Sequence, residues 1–116
     1  MDYGAPGVAR EGLGELERRV LMAIVHLRGQ GYAISIADEI KQRFGKSLSL
    51  GAIYSTVDRL EKKRFVSSRL GEPTPERGGK PKRFYQIEAL GQSALAEARE
   101  ADRRLWAKGP PMGAPA

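Results

Sequence analysis

The chain has 116 residues, of which 41% are hydrophobic and 29% charged, with a net charge of +6 and no cysteine. That is enough chain for one domain with a single modest core, and it excludes a disulfide framework and a thiolate metal site. No apolar run approaches the roughly 18 residues of a membrane span, and "MDYGAPGVAREG" lacks the apolar heart of a signal peptide, so a cytoplasmic location is expected.

Residues 1–12 read as a flexible head. "GELERRVLMAIVHLRG" then predicts a first helix, with Leu16, Val20, Ala23, Ile24 and Leu27 on one face and Gly29 ending the pattern. His26 is the sole histidine, has no second ligand at metal-binding spacing, and reads as structural or surface. "SIADEIKQRFG" predicts a second helix, with Ile36, Ala37, Ile40 and Phe44 inward and Gly45 as its C-terminal cap. "SLGAIYSTVDRLEKKR" predicts a third, opened by Ser49 as N-cap. Its apolar stripe is Leu50, Ile53, Tyr54, Val57 and Leu60, and Ala52, Ser55, Thr56, Arg59 and Lys63 fall opposite.

After Lys63 the period changes. "FVSSRL" and "KRFYQI" read as strands around the turn-rich "GEPTPERGGKP", which makes a β-hairpin. Phe84 and Ile87, or Tyr85 on the other strand face, would anchor it to the helices. "ALGQSALAEAREADRRLWA" returns to helical period along Leu90, Ala94, Ala98, Ala101 and Leu105, and residues 109–116 read as a disordered tail. The expected fold class is α+β and mostly helical: a winged helix-turn-helix over residues 13–88 and a C-terminal helix over 89–108.

The charge is focused. Residues 1–61 carry eight cations and eight anions, residues 84–116 four of each, and residues 62–83 eight cations against Glu72 and Glu76. A concentrated basic segment suggests a polyanion partner. The turn "GKSLS" suits a helix-turn-helix, whose third helix enters a major groove by its N-terminal end. On that helix Ser49, Ser55 and Thr56 can bond bases or phosphates, Arg59 can reach guanine or phosphate, and Ala52 and Lys63 share the face. On the wing, Gly78 and Gly79 allow a slim tip flanked by Arg77 and Lys80, and Lys82 and Arg83 begin the return strand. Such a tip fits a narrow, electronegative minor groove or a phosphate.

Rival chemistries find little purchase. Glu15 with Glu17, or Asp38 with Glu39, are too close in sequence to share a helix face, and no histidine is placed to activate a serine. No enzyme, cofactor or metal is therefore expected. The alternative function is a protein-interaction module whose basic hairpin docks on an acidic partner, which leaves the Ser/Thr/Arg face without a purpose. Structured RNA is disfavoured because its deep, narrow major groove excludes a helix.

The stretches "YAISIADEIKQRFG", "LSLGAIYSTVDRLEKKRFVSS" and "GGKPKRFYQIEALGQSAL" resemble the PadR-like family of bacterial transcriptional regulators over roughly residues 14–98. The resemblance implies a homodimeric winged-helix repressor on an inverted-repeat operator of double-stranded DNA. It makes Tyr54 the recognition-helix tyrosine whose hydroxyl reaches the DNA backbone, against the simpler reading of a core tyrosine. It places dimer contacts on the last helix, where Ala94, Ala98 and Ala101 permit close approach and Leu95, Leu105 and Trp106 serve as anchors. Packing of those residues on the chain's own first helix is the competing reading. Some members bind small aromatic or hydrophobic effectors in the dimer core, where Trp106 would stack on one. Glu88 departs from the family's usual threonine before the last helix, which should weaken the cap there.

Overall fold

The computed structural model describes residues 13–73 and 78–108. The expected head (1–12), the expected tail (109–116) and the wing residue Arg77 lie outside the described residues.

Helix α1 (Glu15–His26) begins where the Gly14 N–H donates to Glu17 Oε1 at 3.0 Å. Helix α2 (Ala33–Phe44) opens with the Tyr32 N–H donating to Ser35 Oγ at 2.9 Å, and stops at Gly45 in the left-handed conformation, φ 68°. Helix α3 (Leu50–Lys62) is capped as the sequence suggests: the Ala52 N–H donates to Ser49 Oγ at 3.0 Å. Such a cap satisfies one otherwise orphaned helix donor and is worth about 1 kcal/mol. Strands β1 (Val66–Leu70) and β2 (Arg83–Ile87) pair antiparallel, with Val66 opposite Ile87 and Leu70 opposite Arg83. Helix α4 (Ala89–Lys108) follows.

Three helices and the root of the hairpin share one core. It contains Val20, Leu21, Ala23 and Ile24 of α1, Ala33, Ile36 and Ile40 of α2, and Ile53, Val57 and Leu60 of α3. Phe65, Val66 and Tyr85 close it from the hairpin side. Strand alternation puts the two candidate anchors of the wing on opposite faces, and burial decides between them. Tyr85 is buried with Ile87 partly buried on its side, whereas Phe84 faces away and meets the Tyr32 ring edge-on at 5.9 Å. The Tyr85 N–H also donates to the Gly31 carbonyl at 2.9 Å, which ties the wing to the α1–α2 connection. Burial, reinforced by nearby Glu61, pushes the Tyr85 phenol above its ordinary pKa and keeps it neutral.

Several positions differ from the expected stripes. Leu21 is fully buried although the periodic pattern omitted it. Phe44, in the last turn of α2, is exposed, and the Arg19 guanidinium sits 5.2 Å from its ring centroid. Leu50 and Tyr54 of α3 are exposed, and Thr56 is buried in their place. Along the apolar stripe of α4, Leu90 and Leu105 are exposed, the latter a residue assigned to the dimer contact.

The start of α4 is fixed by a close approach. A Cβ on Gly91 would lie 2.3 Å from the Phe65 carbonyl oxygen, a contact only glycine avoids. The Glu88 N–H donates to that same carbonyl at 2.8 Å. The Glu88 carboxylate accepts from Ser67 Oγ at 2.6 Å, so it braces β1 where the family's threonine would cap the helix. Ala94 and Leu95 then pack against the core, and Arg18 Nη1 donates to Asp102 Oδ2 at 2.7 Å. Beyond this link Leu105 and Trp106 are 70% and 58% exposed.

Candidate nucleic-acid interface

A helix lying on a core with 3.6 residues per turn shows solvent the face opposite its buried stripe. In α3 the buried stripe is Ile53, Thr56, Val57 and Leu60, so the outward stripe is Gly51, Tyr54, Ser55, Asp58 and Lys62. The polar face expected from sequence is thus rotated by one residue position, about 100°. Ser49, Tyr54, Ser55 and Arg59 are exposed, and Ala52 is half-buried. Thr56 leaves the candidate set. It is fully buried, and its hydroxyl donates to the Ala52 carbonyl at 2.8 Å, which lets a hydroxyl occupy an apolar position.

Arg59 and Lys63 lie on the flank of α3 that faces α1. They converge there on Glu17, a buried carboxylate absent from the sequence-derived set. Lys63 Nζ donates to both oxygens, at 3.1 and 3.0 Å, and Arg59 Nε lies 3.5 Å from Oε2. Arg59 Nη2 also donates to Thr56 Oγ1 at 3.3 Å. Burial by itself would push the Glu17 carboxyl up. The Lys63 bond, the Gly14 N–H and the charges of Lys63 and Arg59 outweigh that and hold it below its ordinary value. One signal for this was present in the sequence. Arg59 and Lys63 are like charges at i and i+4, a pair that repels unless a counter-charge stands between them.

The wing joins α3 through a short polar relay. Ser68 Oγ of β1 donates to Glu61 of α3 at 2.8 Å and accepts from Arg83 Nη1 of β2 at 3.0 Å. Arg83 is thereby held beside the C-terminal half of α3. Lys82 is stationed differently, its ammonium 4.4 Å from the centre of the Tyr32 ring. Arg69, also missed from sequence, stacks 4.8 Å from the Phe84 ring centre and donates to the Gly29 carbonyl at 3.1 Å. Lys80 is exposed and has no ion-pair or hydrogen-bond partner among the described residues. Gly78 and Gly79 adopt φ 62° and 84° with open space around them, so the turn itself requires glycine there.

The residues assigned to a dimer contact divide. Ala94 and Leu95 are partly buried against the chain's own core, as the competing reading has it, while Ala101, Leu105 and Trp106 are exposed and Ala98 is intermediate. A mostly apolar cavity of about 420 Å³ separates α1 from α4, lined by Arg18, Met22, Val25, His26, Leu95, Arg99 and Asp102. Among the described residues no cluster of histidine and carboxylates could hold a metal ion, and no helix is long and apolar enough to cross a membrane.

Comparison with known proteins matches this arrangement. Residues 20–97 fit the model of the transcriptional regulator PadR-like family. An uncharacterized protein of Lysinibacillus sphaericus is 34% identical over 86 residues, which is 72% of this chain and 74% of that protein. Among solved structures, a transcriptional regulator of Clostridium thermocellum superposes with a TM-score of 0.65 at 20% identity, covering 79% of this chain and 86% of its own. A PadR-like transcription factor of Bacteroides fragilis gives a TM-score of 0.65 at 24% identity over 78% and 82% of the two chains.

Proposed function

The chain belongs to the PadR-like family of transcriptional regulators, a DNA-binding family, and from that premise we propose that it is a homodimeric repressor of an inverted-repeat operator. In this reading α3 enters the major groove by its N-terminal end, with Ser49, Tyr54 and Ser55 nearest the DNA and Arg59 reaching a guanine or a phosphate. Lys80, Lys82 and Arg83 of the wing engage phosphates or the adjacent minor groove. The observation that carries the reading is the Glu61–Ser68–Arg83 relay, which fastens a basic, glycine-tipped wing to the side of a capped helix with a short polar face.

Dimerisation supplies what one copy lacks. A two-fold protein sets two recognition helices about one DNA turn apart, roughly 34–36 Å, and so doubles the bases read. The exposed distal part of α4, with Ala101, Leu105 and Trp106, is the surface assigned to that contact. An effector in the core of such a dimer would act by changing the relative placement of the two α3 helices.

The test is a titration of the purified chain against a labelled duplex from its own promoter and a scrambled control. If a dimer makes roughly 6–10 phosphate contacts, affinity should fall about 10³–10⁵-fold between 50 and 200 mM salt. Preference for the promoter duplex with that salt dependence supports an operator-specific regulator. Absence of binding to either duplex at low salt would overturn it.

A further inference from the structure

Glu17 stands in a position that a fold alone does not require. Its side chain is 9% exposed, and a buried carboxylate is tolerated only when it is fully paired. An apolar residue would fill the same space on α1 without that demand. The partners it has gathered are the two cations on the flank of the candidate recognition helix. They are held unequally. Lys63 gives its ammonium to both carboxylate oxygens and is 21% exposed, whereas Arg59 offers one edge and keeps 51% of its side chain exposed.

We infer that Glu17 is a positioning residue for DNA recognition, which orients the Arg59 guanidinium toward the duplex and withholds the Lys63 charge from the phosphates. The inference rests on the DNA-binding reading above. Its physical basis is the planar fork of arginine. A guanidinium with Nε beside Glu17 and Nη2 on Thr56 Oγ1 is pre-aimed, and half of the side chain remains open to solvent. Pre-aiming favours a base edge, where geometry matters, over a phosphate, where charge suffices. A lysine docked on both oxygens of one carboxylate is a charge already neutralised. Sequestering it lowers affinity for every duplex equally, so the preference itself is carried by the aim of Arg59. The depressed Glu17 pKa agrees, since the carboxylate stays ionised at neutral pH.

The experiment measures affinity for a preferred and a scrambled duplex across a salt series, in the full chain and three variants. Glu17→Gln should bind the scrambled duplex more tightly and lower the preference about tenfold. Its log–log salt slope should steepen by about 0.9 for each additional phosphate that the freed cations neutralise. Lys63→Gln guards against a Glu17 variant that fails to fold. It should leave the salt slope at the wild-type value, while Lys80→Gln reduces it by about 0.9. A purely structural Glu17 would alter melting temperature without touching slope or preference. Unchanged slope and preference in folded Glu17→Gln, or a reduced slope in Lys63→Gln, overturns the inference and leaves the DNA-binding reading intact. A wild-type chain that prefers no duplex overturns both.

Discussion

Helix α3 and the wing both carry cations, but the two regions hold them in opposite ways. On α3, Arg59 and Lys63 are braced against a buried carboxylate, and Lys62 is paired with Asp58 at 3.1 Å. On the wing, Lys82 rests on an aromatic face, Arg83 touches a serine, and Lys80 has no such partner among the described residues. Cations paired to a carboxylate have little free charge, whereas wing cations held by a ring or a hydroxyl, or not held at all, keep theirs. The first suits discrimination between bases and the second suits attraction to phosphate. The division also means that the wing must be anchored by something other than its charges.

That anchor is Tyr85, and removing it gives the largest expected effect. Tyr85→Ala deletes a buried ring beneath the hairpin and should cost about 3 kcal/mol or more, by analogy with other buried aromatics. Chemical denaturation followed by far-ultraviolet circular dichroism measures this. A loss below about 1 kcal/mol would mean that the wing is held mainly by its backbone bridge to Gly31.

Next in size are the cations themselves. Arg59→Ala should cost about 1–3 kcal/mol of discrimination between preferred and scrambled duplexes, while Lys80→Ala should weaken both alike and flatten the salt slope by about 1. Equal behaviour of the two variants in the same titration would erase the contrast between helix and wing.

The fold was legible in the sequence to the level of element order, but the facing of α3 was not. A threonine that returns its hydroxyl to the carbonyl one turn back behaves as an apolar residue, yet in a periodic pattern it counts as polar. Reading Thr56 as polar, and counting Leu50 and Tyr54 in the apolar stripe, turned the helix by one position. Leu50 at the first turn and Phe44 at the last show the same weakness, because helix ends overhang the core. Glu17 was illegible for a different reason. Its partners are 42 and 46 positions away, so only the docking of α3 on α1 reveals the pairing. The wing was legible because its information is local: glycines that require positive φ, cations beside them, and strand alternation. Even so, alternation alone left Phe84 and Tyr85 as competing anchors, and the burial of Tyr85 settled it.

A smaller effect probes the Glu17 cluster through pH. A carboxyl whose folded pKa lies below its unfolded value stabilises the fold above the ordinary glutamate range, and that stability is lost as pH falls toward the folded value. Lys63→Ala should cost about 1–2 kcal/mol near neutral pH, the range for a charge-assisted hydrogen bond that is partly exposed. The difference from wild type should shrink as pH drops below about 4.3. Parallel stability curves for the two proteins from neutral pH to about pH 3 would show that Lys63 contributes by packing alone.

The smallest effect concerns Arg64, in the short link between α3 and β1. It sits at φ 65°, where a β-carbon costs about 1 kcal/mol or slightly more. Arg64→Gly removes that cost but adds a similar entropic one, because glycine loses about 0.5–1 kcal/mol more on ordering. The two nearly cancel, so stability should change by less than about 0.5 kcal/mol in either direction. Arg64 is exposed, so the near-cancellation isolates its charge. Any loss of duplex affinity in Arg64→Gly would come from the side chain and would add it to the free cations of the wing. Unchanged affinity would end the phosphate-facing surface at β1, and the contrast between the two regions would then turn at that residue.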